Sequence, residues 1–135
     1  MRLLLAKQTS TPGMADFALS ILRLVAGFLI LCHGLQKVFG ILGGHRAPLA
    51  SLLGAAGLIE TLGGVLILFG LFTRPTAFIL CGEMAVAYFR AHAHRAPLPI
   101  QNGGELAVLD CFVFLYLIFA GAGAISVDRF VRGRS

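Results

Sequence analysis

The sequence predicts an all-α integral membrane protein built as a four-helix bundle. Three observations carry that prediction. Of 135 residues, 58% are hydrophobic and only 13% are charged, where a soluble domain would carry about 25% charged residues. The apolar residues gather into four runs near the roughly twenty-residue length a bilayer demands. The connections between the runs are short and rich in Gly, Pro and basic residues.

The N-terminal segment resembles no signal peptide, because only four apolar residues separate Arg2 from Lys7 and an h-region is longer. Residues 1–15 are expected to be a mobile segment, and Met14 offers an alternative start. The transmembrane domain is expected over 16–125. Its first span runs from Asp16, as N-cap, to Phe39, and the second from Leu52 to Phe72. The third runs from Pro75 to Ala91, with Pro75 suited to a first helical turn. The fourth runs from Gly103 to Ala122. Thr73-Arg74 reads as a tight turn, and Asn102-Gly-Gly-Glu105 has the spacing of a capping box. Residues 126–135 are expected to be a basic cytoplasmic tail.

Orientation follows from charge. Lys plus Arg number 11 against 6 Asp plus Glu. Four spans place both termini on one side, with Arg2, Lys7, Arg74, Arg129, Arg132 and Arg134, against Arg46, Arg95, Lys37 and Arg90 on the other. The positive-inside rule makes the termini cytoplasmic. In a membrane protein this excess reads as topology and lipid contact, not nucleic-acid binding.

The stretch from Arg23 to Gly40 carries Arg23, His33, Gln36 and Lys37 inside an apolar run. A charge at the bilayer centre costs about 2.5–3.5 kcal/mol on insertion scales, so such groups are normally paired and functional. Arg23, His33 and Lys37 lie close to one helix face. The acids that can meet them are Glu60, Glu83, Glu105 and Asp110. The expected pairs are Arg23 with Glu83 and Lys37 with Glu60 or Glu105. Gly57, Glu60 and Gly64 share a face, and small residues let helices approach closely in lipid, so Glu60 is expected inside the bundle. The competing reading is structural: the pairs set helix register, Glu105 caps, and Lys37 and Arg90 reach for headgroups.

The histidines and cysteines carry less. His45, His92 and His94 read as a solvated loop, with no metal site assigned. His33, beside Gln36 and Lys37, is suited to donate to a quinone carbonyl or to relay protons. Cys32, Cys81 and Cys111 each sit in an apolar run and form no CxxC. They read as small packing residues, with neither a disulfide nor a dithiol redox pair expected.

Arg23-Leu-Val-Ala-Gly27, followed by His33-Gly34-Leu-Gln36-Lys37-Val-Phe39-Gly40, resembles the first-helix signature of the DoxX family. Glu60 with Gly63-Gly64 and Gly70-Leu-Phe-Thr73-Arg74 is similar to its second helix. Glu83 with Ala87-Tyr88, Asn102-Gly103-Gly104-Glu105 and Ser126-Val-Asp128 continue the likeness, which spans about Ala18 to Arg129. Asp110 departs from a pattern that often has an aromatic there. The resemblance implies a four-helix bacterial inner-membrane protein, tied to quinone-linked sulfur oxidation and to membrane thiol and oxidative-stress complexes.

The leading expectation is therefore a subunit of a quinone-linked membrane redox complex. His33, Gln36 and Lys37 would bind the quinone, Glu60 and Glu105 would exchange protons, and Arg23, Glu83 and Asp110 would be structural. Quinone is the cofactor considered, with haem the less favoured. The partners expected are the lipid bilayer and either other proteins or further copies of the chain. Two alternatives stand beside it: a non-catalytic assembly or anchoring subunit, and a small proton-coupled transporter acting as an oligomer.

Overall fold

Apolar runs punctuated by glycine fold into helices that stop where the glycines allow a left-handed turn. The computed structural model of the chain describes residues 13–133. The expected mobile segment therefore lies outside the described residues as far as 12. The described residues are helical with no strand: α1 (Met14–Phe39), α2 (Leu52–Phe69), α3 (Thr73–Ala87), α4 (Pro99–Asn102), α5 (Glu105–Ala120) and α6 (Val127–Arg132). A π-helical turn, Tyr88–His92, continues α3.

Helix α1 starts after Gly13, two residues earlier than expected, so Asp16 is a first-turn acid and not the cap. There it complements the positive end of the helix dipole, as Lys37 in the last turn complements the negative end. Gly40 ends the helix at φ 69°. Ser51 caps α2 by accepting from the Gly54 amide at 3.1 Å. The second span ends at Phe69, short of Phe72, because Gly70 turns left-handed at φ 67°. Thr73 and Arg74 are not a turn but the first residues of α3. In the last connection α5 begins at Glu105 behind Gly104, with no side-chain cap. Asn102 accepts from the Gly104 amide at 2.9 Å, a local turn two residues on, so the expected capping box with Glu105 is not formed.

Helix α1 packs along α2 and α3 along α5, and α2 against α3 joins the pairs. The α1–α2 seam is a close backbone approach. A Cβ on Gly27 would fall 2.6 Å from the Leu68 nitrogen, and one on Gly64 2.7 Å from the Leu31 Cα. Glycines on both partners therefore let dispersion and side-chain contacts act at short range. Ile30, Ile67, Leu80, Phe114 and Leu117 fill the centre, each at most 2% exposed. The outer faces stay apolar, including Phe28, Leu62, Phe78, Phe112 and Phe119. Helices α1 and α2 are each long and apolar enough to cross a membrane.

The tail is helical over Val127–Arg132. Ser126 caps α6 by accepting from the Arg129 amide at 3.2 Å. The Asp128 amide donates to Gly70 O at 2.9 Å. Its carboxylate accepts from the Phe72 and Thr73 amides at 2.8 and 2.9 Å, so a residue from the far end of the chain caps α3. The cap matters because Phe72 sits at φ 50°, left-handed for a non-glycine residue. Burial pushes the Asp128 carboxyl up, but the Thr73 and Phe72 amides and the Arg132 charge outweigh it and hold it below its ordinary value.

Arg23 is the other tie at this end, and it is not paired with Glu83 as expected. Its guanidinium, 1% exposed, donates to Ile67 O and Leu68 O at 2.5 Å each. It also donates to Ala122 O at 2.8 Å and Ile125 O at 2.5 Å. The physical reason is supply: the last carbonyls of α2 lack the usual donor four residues on and carry the negative end of the dipole, and Ile67 O, which accepts from the Gly70 amide at 3.0 Å, has a second lone pair for Arg23. A planar five-donor fork fits several such carbonyls where a carboxylate could meet only part of it.

Candidate functional site

Arg23 and Asp128 lie at one end of the helices, and Asp16, Arg74, Arg129 and Arg132 line a cavity with Asp128 there; a second group of ionisable side chains meets near the opposite end, where α1 and α3 finish and α2 and α5 begin. The last turns of α1 supply His33 and Lys37, α2 supplies Glu60, the π turn supplies His92 and α5 supplies Asp110. These five line one cavity of about 260 Å³. Lys37 Nζ donates to Glu60 Oε1 at 2.5 Å, so of the two acids expected opposite Lys37 its partner is Glu60. Glu60 is 1% exposed, as its place between Gly57 and Gly64 predicts. Its second oxygen, Oε2, is buried with no hydrogen-bond partner.

Lys37 also borders a larger and mostly apolar cavity of about 560 Å³ between α2 and α3, lined by Leu52, Ile79, Val86 and Glu83 among others. Glu83 Oε2, like Glu60 Oε2, is buried without a partner. One cation thus stands between a chamber whose wall carries four other ionisable side chains and an almost wholly apolar one. That is the composition of an amphipathic ligand site, apolar walls with a few placed polar groups.

Two residues expected here are elsewhere. The Gln36 side chain donates to Leu42 O at 2.9 Å and pins the loop after α1. Its partner is local because Gly40 reverses the chain just beyond it. Glu105 is exposed at the start of α5 and lines a separate crevice with Pro99 and Phe112. Asp110, expected to be structural, faces the polar cavity and lies within electrostatic range of His33 and Glu60.

His92 is the residue that sequence reasoning missed. The loop reading holds for His45 and His94, which are exposed, but His92 is half-buried. Its Nδ1 lies 3.1 Å from Asn102 O. A carbonyl can only accept, so Nδ1 carries the proton and a neutral ring keeps Nε2 as an acceptor. Asn102, 3% exposed, donates to Ala96 O at 3.0 Å and to Tyr88 Oη at 3.3 Å. The Tyr88 ring stacks on His92 with centroids 6.5 Å apart. The extra residue of the π turn re-aims His92, as such turns often do at functional sites.

The structure also joins two cysteines. Cys81 of α3 and Cys111 of α5 have their sulfurs 3.7 Å apart, and the Cys111 thiol donates to Cys81 O at 3.4 Å. All three cysteines are free thiols. Thirty residues and two helices separate the pair, so no spacing in the sequence could signal it.

The DoxX family model matches residues 18–93, more than half of the chain. The chain belongs to the DoxX family. The match takes in His33, Lys37, Glu60 and His92 and stops before Asp110 and Cys111. An uncharacterized protein of Haemophilus influenzae is 44% identical over 120 residues, covering 84% of this chain and 90% of that protein. The Bacillus subtilis protein named "Putative oxidoreductase CatD" is 28% identical over 123 residues, covering 82% of this chain and 84% of its own length. No solved structure matches the chain significantly. As a DoxX membrane protein, the chain contacts the lipid bilayer.

Proposed function

We propose that this DoxX protein is a subunit of a quinone-linked redox system of the bacterial inner membrane, spanning it four times with both termini in the cytoplasm. The observation that carries the reading is the Lys37–Glu60 pair, its carboxylate buried and its half-buried ammonium bordering both a cavity lined by ionisable groups and an apolar one. The likeness to a protein named as an oxidoreductase agrees with it. So does the basic excess on the side of the termini.

The residues present fit a quinone. A quinone supplies a lipid-soluble acceptor of two electrons and two protons. Lys37 Nζ is a donor for one carbonyl oxygen, and His33 offers a second donor on the same helix face. Glu60 Oε2, unpartnered and buried, is placed to hold or pass a proton. Asp110 and His92 give the same cavity two further titratable groups. The apolar groove beside Lys37 accepts an isoprenoid tail.

The test is a titration of the purified protein in lipid nanodiscs with short-tailed ubiquinone and menaquinone analogues, alongside extraction of co-purifying quinone. Saturable binding is expected, weakened at least tenfold by Lys37→Met, a loss of about 1.4 kcal/mol. Absence of both co-purified and titrated quinone overturns the reading. A non-catalytic anchoring subunit is the second reading, favoured by the wholly structural contacts of Arg23 and Asp128. It predicts that Lys37→Met lowers abundance in the membrane and leaves no binding to lose.

A further inference from the structure

We propose that Cys81 and Cys111 are a redox-active dithiol whose oxidation to a disulfide between α3 and α5 delivers two electrons and two protons to a quinone. The quinone part rests on the function proposed above; the pairing of the thiols rests on geometry alone.

The two sulfurs stand 3.7 Å apart, against about 2.05 Å for a disulfide. The sulfurs must therefore move toward each other for the bond to form. The hydrogen bond from the Cys111 thiol to Cys81 O keeps the two turns in register. Both thiols pack against the apolar core formed by Leu80, Phe114 and Leu117. A charged oxidant meets that environment poorly, whereas a quinone shares the lipid phase with it.

The pair lies one turn from the polar cavity. Ala107, four residues before Cys111, lines that cavity, and so does Met84, three residues after Cys81. These spacings put each cysteine beneath a wall residue on the same helix face. Asp110, next in the chain to Cys111, borders the cavity as well. The step balances: both S–H bonds break and one S–S bond forms. The two electrons reduce the quinone, and the two protons end on its oxygens, giving a quinol.

The test uses the full chain, reduced, in nanodiscs without native quinone. One sample receives a short-tailed ubiquinone and a second receives diamide, a thiol oxidant that requires no quinone site. Free thiols are counted by alkylation and mass spectrometry, and quinol by absorbance. In both samples alkylation is expected to fall from three cysteines to one, Cys32, with a Cys81–Cys111 linked peptide. The quinone sample is expected to yield one quinol per chain. Cys32→Ser should change nothing, while Cys81→Ser and Cys111→Ser should each abolish the quinol.

Three alkylated thiols in both samples overturn the proposal and leave the quinone-binding reading to its own titration. Closure with diamide but not with quinone overturns it too, and the binding titration then shows whether the quinone reading falls with it.

Discussion

At the scale of single residues, two basic side chains in α1 have opposite characters. Lys37 has a carboxylate, Glu60, and a cavity on each side. Among the described residues Arg23 has no carboxylate at hydrogen-bond distance and four carbonyls instead. This difference is measurable. Hydrogen bonds to a charged group are worth about 1.5–3 kcal/mol each, so Arg23→Lys, which loses the planar fork, should destabilise the protein by several kcal/mol in thermal unfolding in detergent. Glu83→Gln should add independently, with a coupling to Arg23→Lys below about 0.5 kcal/mol; a larger coupling would restore the Arg23–Glu83 pair. The inward face of Glu60 was readable in the sequence because glycines at fixed helical spacing set it, and this left Glu60 as one of two acids open to Lys37. The partners of Arg23 were not readable, because backbone carbonyls have no residue type.

At the scale of elements, what the sequence conceals is what depends on docking. The four long helices follow from apolar runs and glycine stops, and their observed ends differ by a few residues where Gly70 and Gly121 turn the chain. Helix α6 has six residues, too few to form on propensity alone, and it is tied down by its Ser126 cap and by the bonds of Asp128 to Gly70, Phe72 and Thr73. The π turn that aims His92 has no pattern of its own, and the Cys81–Cys111 approach depends on how α3 meets α5. Asp128→Asn should cost about 0.5–2 kcal/mol at neutral pH, the range for a lost cap. The pH dependence has a definite sign. The folded carboxyl titrates below its ordinary value, so its contribution is complete above the unfolded value of about 3.9. It is lost as pH falls through the lower folded value. The gap in melting temperature between wild type and Asp128→Asn should therefore be flat from neutral pH to about 4.5 and close below about 4; a gap that widens with acid would contradict the cap.

At the scale of the molecule, polar groups sort to two ends and apolar side chains face outward between them. Four crossings require α5, although its 16 residues span only about 24 Å at 1.5 Å per residue. Phe112, near its middle and 61% exposed, should then face lipid. Phe112→Arg is expected to cost about 2.5–3.5 kcal/mol of insertion, seen as loss of carbonate-resistant protein from membranes; unchanged retention would place α5 outside the hydrocarbon. The ties of Arg23 also set an order of events during synthesis. Its acceptors at Ile67 and Leu68 emerge 44 and 45 residues after it, once the α1–α2 hairpin is made. Its acceptors at Ala122 and Ile125 emerge 99 and 102 residues after it. A nascent chain lacking its last segment thus holds a half-solvated guanidinium, and the arrival of that segment is the step that latches the first helix to the last.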